Sequence, residues 1–126
     1  MCLSDAHEVL KTPVYIGERM EIGQTTAEPH GPYFLVNGAA VELVTDSDEN
    51  LSWLMKLIIG RLHLSANHPV STKELAELYQ KKTGGAEAEY EAFYQINTAT
   101  LILNKRIAEL NGTAQLYFHL DGIVLG

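Results

Sequence analysis

The sequence predicts an α+β fold, in which an antiparallel β-sheet precedes three helices and a closing β-hairpin. Three observations carry that expectation. Asn37-Gly38 joins two short apolar runs and has the composition of a two-residue type I′ turn between antiparallel strands. Leu51, Leu54, Met55, Ile58 and Leu62 recur at the spacing of one helical face. Gln115 to Leu120 and Ile123 to Leu125 are apolar runs around Asp121-Gly122, which is the pattern of a hairpin.

The elements follow in order. Ser4 to Lys11 suits one or two helical turns that Thr12-Pro13 stops. Val14, Ile16, Met20 and Ile22 share one parity against Tyr15, Arg19 and Glu21, which predicts a half-buried strand. Gly23 to Pro32 is expected to be a surface loop, and Tyr33 to Val36 and Ala40 to Val44 to be the two arms of the Asn37-Gly38 hairpin. Thr45-Asp46-Ser47-Asp48-Glu49 then supplies a helix cap, with acidic side chains at the positive end of the helix dipole. That helix carries the Leu51 to Leu62 stripe, with Trp53 and Leu57 beside it.

Ser65 to Pro69 reads as a turn and Val70 as one residue of strand. Ser71 and Glu74 form a capping box ahead of Leu75, Leu78 and Tyr79, so the second helix spans Thr72 to about Lys82, where Thr83-Gly84-Gly85 breaks it. Ala86 to Phe93 fits either a helical extension or a loop. Ile96, Ala99, Thr100, Leu103, Ile107 and Leu110 mark the inward stripe of a third helix over Ile96 to Leu110, which turns Thr98, Leu101, Ile102, Lys105 and Glu109 outward.

The length of 126 residues fits one domain over 1–126, divided into an N-terminal strand segment and loop (1–32) and a core (33–126). No run approaches the ~18 apolar residues of a membrane span, no leader pattern opens the chain, and the single Cys2 has no partner for an intrachain disulfide. A soluble, cytoplasmic protein that binds no membrane is therefore expected. The net charge of −7 argues against indiscriminate binding to polyanions. From Tyr33 onward seven basic side chains stand against eleven acidic ones, so the core alone is at −4.

The order helix, helix, hairpin is that of a winged helix-turn-helix domain. Residues Tyr33 to Leu125 resemble the DNA-binding effector domain of the OmpR/PhoB family of response regulators. Leu43-Val44-Thr45 leading to Asp48-Glu49, Leu51 and Leu54 matches that family's first helix start. Val70-Ser71-Thr72-Lys73-Glu74-Leu75 matches the start of its second helix, and Leu103-Asn104-Lys105-Arg106-Ile107 the end of its recognition helix. The resemblance implies transcription regulation by a stand-alone module with no receiver domain, its third helix entering the major groove of double-stranded DNA. Two departures bear on that activity: Ile102 stands where the family tends to place an arginine, and the hairpin from Gln115 to Leu125 has no Lys or Arg.

Two readings of function follow. In the first, Lys81, Lys82, Lys105 and Arg106 contact phosphates, supported by Lys73, while Asn97, Thr98 and Asn104 meet base edges. In the second, the scaffold has lost DNA binding and acts on a regulator or polymerase, or on a second copy. Leu101 and Ile102 then form an outward apolar pair, joined by the acidic Glu87, Glu89 and Glu91. Tyr90, Phe93 and Tyr94 suit stacking on single strands but, lacking a basic groove, fit core anchors better. His7, His30, His63, His68 and His119 lack metal-ligand spacing, and no catalytic triad or phosphate loop is present, so no metal, cofactor or enzymatic activity is expected.

Overall fold

Met20 and Ile22 are buried on either side of half-buried Glu21, and Phe34 and Val36 on either side of half-buried Leu35, and their burial against the first helix sets the register of the first sheet. A computed structural model describes residues 12–16, 19–26, 31–46, 48–66, 68–85, 88–120 and 122–126. Among them run β1 (Val14–Tyr15), β2 (Met20–Thr25), β3 (Gly31–Val36), β4 (Ala39–Ala40), α1 (Glu49–Leu64), β5 (Val70–Ser71), α2 (Thr72–Lys82), α3 (Glu89–Glu109), β6 (Leu116–His119) and β7 (Gly122–Leu125). The fold is mixed α+β, with one antiparallel sheet in the order β1-β2-β3-β4 and another in the order β5-β7-β6. The expected turns at Ser4 to Lys11, together with Cys2, His7, His30 and Glu87, lie outside the described residues.

The first sheet differs from expectation in three places. The single strand read from Val14 to Ile22 is a hairpin: the Ile16 N–H donates to the Met20 carbonyl at 2.9 Å, and Arg19 is left-handed at φ 62°. Matched parity on both arms had concealed the turn. Gly23 to Thr25 and Gly31-Pro32, expected in a loop, are strand residues. Gly23 faces Tyr33 across the ladder, where the tyrosine ring fills the space a Cβ would need. That ring reaches over the glycine so that its hydroxyl donates to the Glu21 carboxylate. Finally, β4 has two residues, not the whole of Ala40 to Val44. Val41 still donates to the Phe34 carbonyl at 2.8 Å, and Val41 and Leu43 stay buried, but beyond them the ladder ends.

The helices follow their caps. The Asp48 carboxylate accepts from the N–H groups of Asn50 and Leu51 at 2.9 and 3.1 Å and starts α1. Ser71 accepts from the Glu74 N–H at 3.1 Å and starts α2, whose end is closed by Gly84 at φ 76° and by a Gly85 N–H bond to the Gln80 carbonyl at 2.7 Å. The Glu74 carboxylate lies 3.4 Å from the Arg61 guanidinium of α1. Helix α3 begins at Glu89, seven residues before the expected Ile96, because Ala92 extends the buried stripe backwards and Glu89 and Glu91 sit at the favourable end of the dipole.

Leu54, Met55, Ile58, Ile59 and Leu62 of α1, Leu75 and Tyr79 of α2, and Ile96, Leu103 and Ile107 of α3 share one buried core with both sheets. The sequence had placed the C-terminal turn at Asp121-Gly122, but Gly122 is already a strand residue, paired with His119. Gly122 instead begins β7 opposite Ser71, where an added Cβ would come within 2.9 Å of Pro69. Close approach to β5, not turn geometry, demands this glycine. Among the described residues no helix is long and apolar enough to cross a membrane.

Leu54 and Leu103 are fully buried on different helices. Leu54→Ala and Leu103→Ala should each lower the unfolding free energy by about 2 to 5 kcal/mol in urea titrations. The Tyr33 phenol is pushed up to about 12, first by its hydrogen bond to Glu21 and then by burial. A raised pKa means that the neutral phenol is favoured by folding, so its contribution is complete below the ordinary tyrosine value near 10 and is lost as pH rises through about 12. Glu21→Gln should bring the Tyr33 absorbance titration back toward about 10.

Candidate functional site

The phase of α3 decides which side chains face outward. Ala92, Ile96, Ala99, Thr100, Leu103 and Ile107 are buried, so the opposite side presents Tyr90, Tyr94, Asn97, Leu101 and Lys105, with Phe93 on its flank. Tyr90, Tyr94 and Leu101 are 72%, 63% and 60% exposed, and Phe93 is 37% exposed. The three aromatics are therefore surface residues, contrary to their expected role as core anchors. Extending the spacing of Ile96 and Ala99 one turn back to Ala92 would have placed them correctly.

Three side-chain clamps hold α3 in that rotation. The Asn104 carboxamide donates to the Leu116 carbonyl at 2.9 Å and accepts from the Leu116 N–H at 2.7 Å, taking the place of a neighbouring strand along β6. Arg106 Nη1 donates to the carbonyls of Glu42 and Val44 at 2.6 and 2.7 Å, bonds that the segment after β4 would otherwise seek from a ladder. In return, the Asn37 carboxamide of the β3-β4 turn donates to the carbonyls of Leu110 and Asn111 at 2.8 and 3.2 Å, at the end of α3. Asn37 and Gly38 both have positive φ, 53° and 83°, as the expected type I′ turn requires. The helix end is closed by left-handed Asn111 and by a Gly112 N–H bond to the Ile107 carbonyl at 2.9 Å.

These contacts redistribute the residues expected to meet DNA. Asn104 spends its amide on β6, and Arg106 spends Nη1 on the segment after β4. Lys82 lies at the end of α2 with its ammonium 5.6 Å from the centre of the Trp53 ring, and Lys81 beside it is exposed. The Thr98 hydroxyl donates within α3 to the Tyr94 carbonyl at 3.0 Å. Asn97 and Lys105 are exposed on the outer face of α3. Of the seven positions, Asn104 and Arg106 are engaged within the fold, while Asn97 and Lys105 stand on the outer face of α3.

The apolar pair Leu101-Ile102 also divides. Leu101 projects outward, whereas Ile102 is half-buried against the core and lines a groove of about 440 Å³ with Glu42, Thr45, Lys105, Arg106 and Glu109. One residue of helix turns a side chain by about 100°, enough to separate neighbours in this way. Glu89 and Glu91 occupy the first turn of α3. Among the described histidines, His63 is 2% exposed and its Nε2 lies 3.0 Å from the Thr12 carbonyl, while His68 and His119 are exposed and distant in the chain. Tyr117, Phe118 and Leu120 add exposed apolar surface on the hairpin. Comparison with protein-family models, with curated proteins and with solved structures finds no match.

Asn104→Ala removes both bonds to Leu116 and should destabilise the protein by about 1 to 3 kcal/mol, with faster amide exchange at Leu116. Lys105→Ala, one position along but exposed, should stay within about 0.5 kcal/mol of the unmodified protein in the same urea titration.

Proposed function

We propose that the chain is a winged helix-turn-helix protein of the transcription-regulator type in which the outer face of α3 binds protein and has ceased to read DNA. The winged-helix reading is supported by the order α2, α3, hairpin and by β5, which joins the β6-β7 hairpin in one sheet. The observation that carries the functional reading is the exposed stripe of Tyr90, Tyr94 and Leu101, which occupies the side of the helix that would meet a major groove.

Electrostatics favour the same reading. A duplex is held chiefly through phosphates, by cations free to displace counterions. On the outer face of α3 that description fits Lys105, while Glu89 and Glu91 stand at the helix start and the hairpin offers no Lys or Arg. Exposed aromatic and leucine side chains in one row gain instead from removing apolar surface from water against another protein.

Binding of the unmodified protein to random duplex DNA, followed by fluorescence anisotropy over a salt series, tests this. The expected result is affinity weaker than about 10⁻⁴ M at physiological salt. Tight binding whose salt slope falls by about one unit in Lys105→Ala would restore the DNA-binding reading.

A further inference from the structure

The exposed stripe of α3 has an internal order. From Tyr90 to Lys105 it reads Tyr90, Tyr94, Asn97, Leu101, Lys105, steps of three or four residues along one helical face about 22 Å long. Turned end for end about a point between Asn97 and Thr98, the row lies over itself. Tyr94 then faces Leu101, Tyr90 faces Lys105, and the two Asn97 side chains meet near the centre.

Charge gives the row a direction. Glu89 and Glu91 mark its start and Lys105 its end. Glu91 and Lys105 fall on the same flank of the face, Glu91 half-buried and Lys105 exposed. In two antiparallel helices residues on the same flank meet, so Lys105 of each copy comes to Glu91 of the other. A parallel arrangement would instead set the two Glu91 side chains, and the two Lys105 side chains, at the same level. The net charge of −7 opposes association of two copies in general, so an arrangement that joins opposite charges is singled out.

The area is sufficient. The exposed parts of Tyr90, Phe93, Tyr94 and Leu101 amount to roughly 500 Å² on each copy, which brings the pair to about the 1,000 Å² lower bound of a specific interface. Lys105 meeting the Tyr90 ring adds a cation–π contact, and the paired Asn97 amides favour one register over its neighbours.

We infer that α3 packs antiparallel against α3 of a second copy of this chain, about a two-fold axis between Asn97 and Thr98. The inference rests on the reading of the outer face of α3 as a protein-docking surface and names its occupant.

Sedimentation equilibrium of the full chain at about 100 μM, a concentration suited to an interface of this size, provides the test. The expected mass is twice 13.9 kDa, falling toward the monomer on dilution. Leu101→Asp should be monomeric, with an unchanged circular dichroism spectrum. Lys105→Glu and Glu91→Lys should each weaken association at least about tenfold, because each creates two like-charge contacts. An equimolar mixture of these two variants should dimerise again, since both contacts of the mixed pair are then attractive. That recovery depends on antiparallel pairing and not on the stability of either variant.

A monomer at about 100 μM, a dimer indifferent to Leu101→Asp, or a mixture that stays monomeric would overturn the inference. A monomeric chain that loses a different protein ligand in Leu101→Asp would overturn the second copy as occupant and leave the docking reading standing. Salt-sensitive duplex binding through Lys105 would overturn both.

Discussion

The rotation of α3 about its own axis is the constraint on which the rest of this molecule depends. Its stripe of Ala92, Ile96, Ala99, Leu103 and Ile107 is buried between the other helices and the sheets, which decides what remains outside. Burial alone leaves some freedom of rotation, because apolar contact is non-directional. Asn104, Arg106 and Asn37 remove it, each spending side-chain hydrogen bonds on a backbone group of another element. One clamp fastens α3 to the second sheet and two fasten it to the first, so a single helix unites both halves of the fold.

The clamps also bear on the proposal that α3 does not read DNA. A polar residue near the end of an exposed helix can serve a backbone within the protein or a ligand outside it, and the atoms used for one are withdrawn from the other. Both oxygen and nitrogen of the Asn104 carboxamide are already paired with Leu116. Arg106 is fixed by two carbonyls, and the Lys82 ammonium rests over Trp53. What the same rotation leaves free is apolar: Tyr90, Tyr94 and Leu101, in line with Asn97 and Lys105. Both the free apolar row and the acidic charge support the proposal that this surface meets protein.

Much of the fold was legible in the sequence because its signals are local. The Asn37-Gly38 turn, the Asp48 and Ser71 caps, the Gly84-Gly85 stop and the stripe of α1 each follow from residues a few positions apart. Errors arose where a distant partner decides. Gly23 looked like loop until Tyr33 was placed across it, and Gly122 looked like turn until β5 was placed against it. The start of α3 was left open between helix and loop because Ala92, a small residue in an acidic stretch, gives a weak apolar signal although it is wholly buried. In the site, Leu101 and Lys105 were correctly turned outward, while the bonds that Asn104 and Arg106 make within the fold were not foreseen. Their type and spacing suit DNA contact equally well, and only the positions of Leu116, Glu42 and Val44, far along the chain, show where they are engaged.

The central claim, that the outer face of α3 is a protein surface, is tested most directly by amide resonances recorded by NMR in one dilution series and one titration with duplex DNA. The account predicts that Tyr90, Tyr94 and Leu101 shift with protein concentration and stay in place as DNA is added. The opposite pattern, with Asn97, Lys105 and the hairpin shifting on addition of DNA while the stripe ignores dilution, would contradict it.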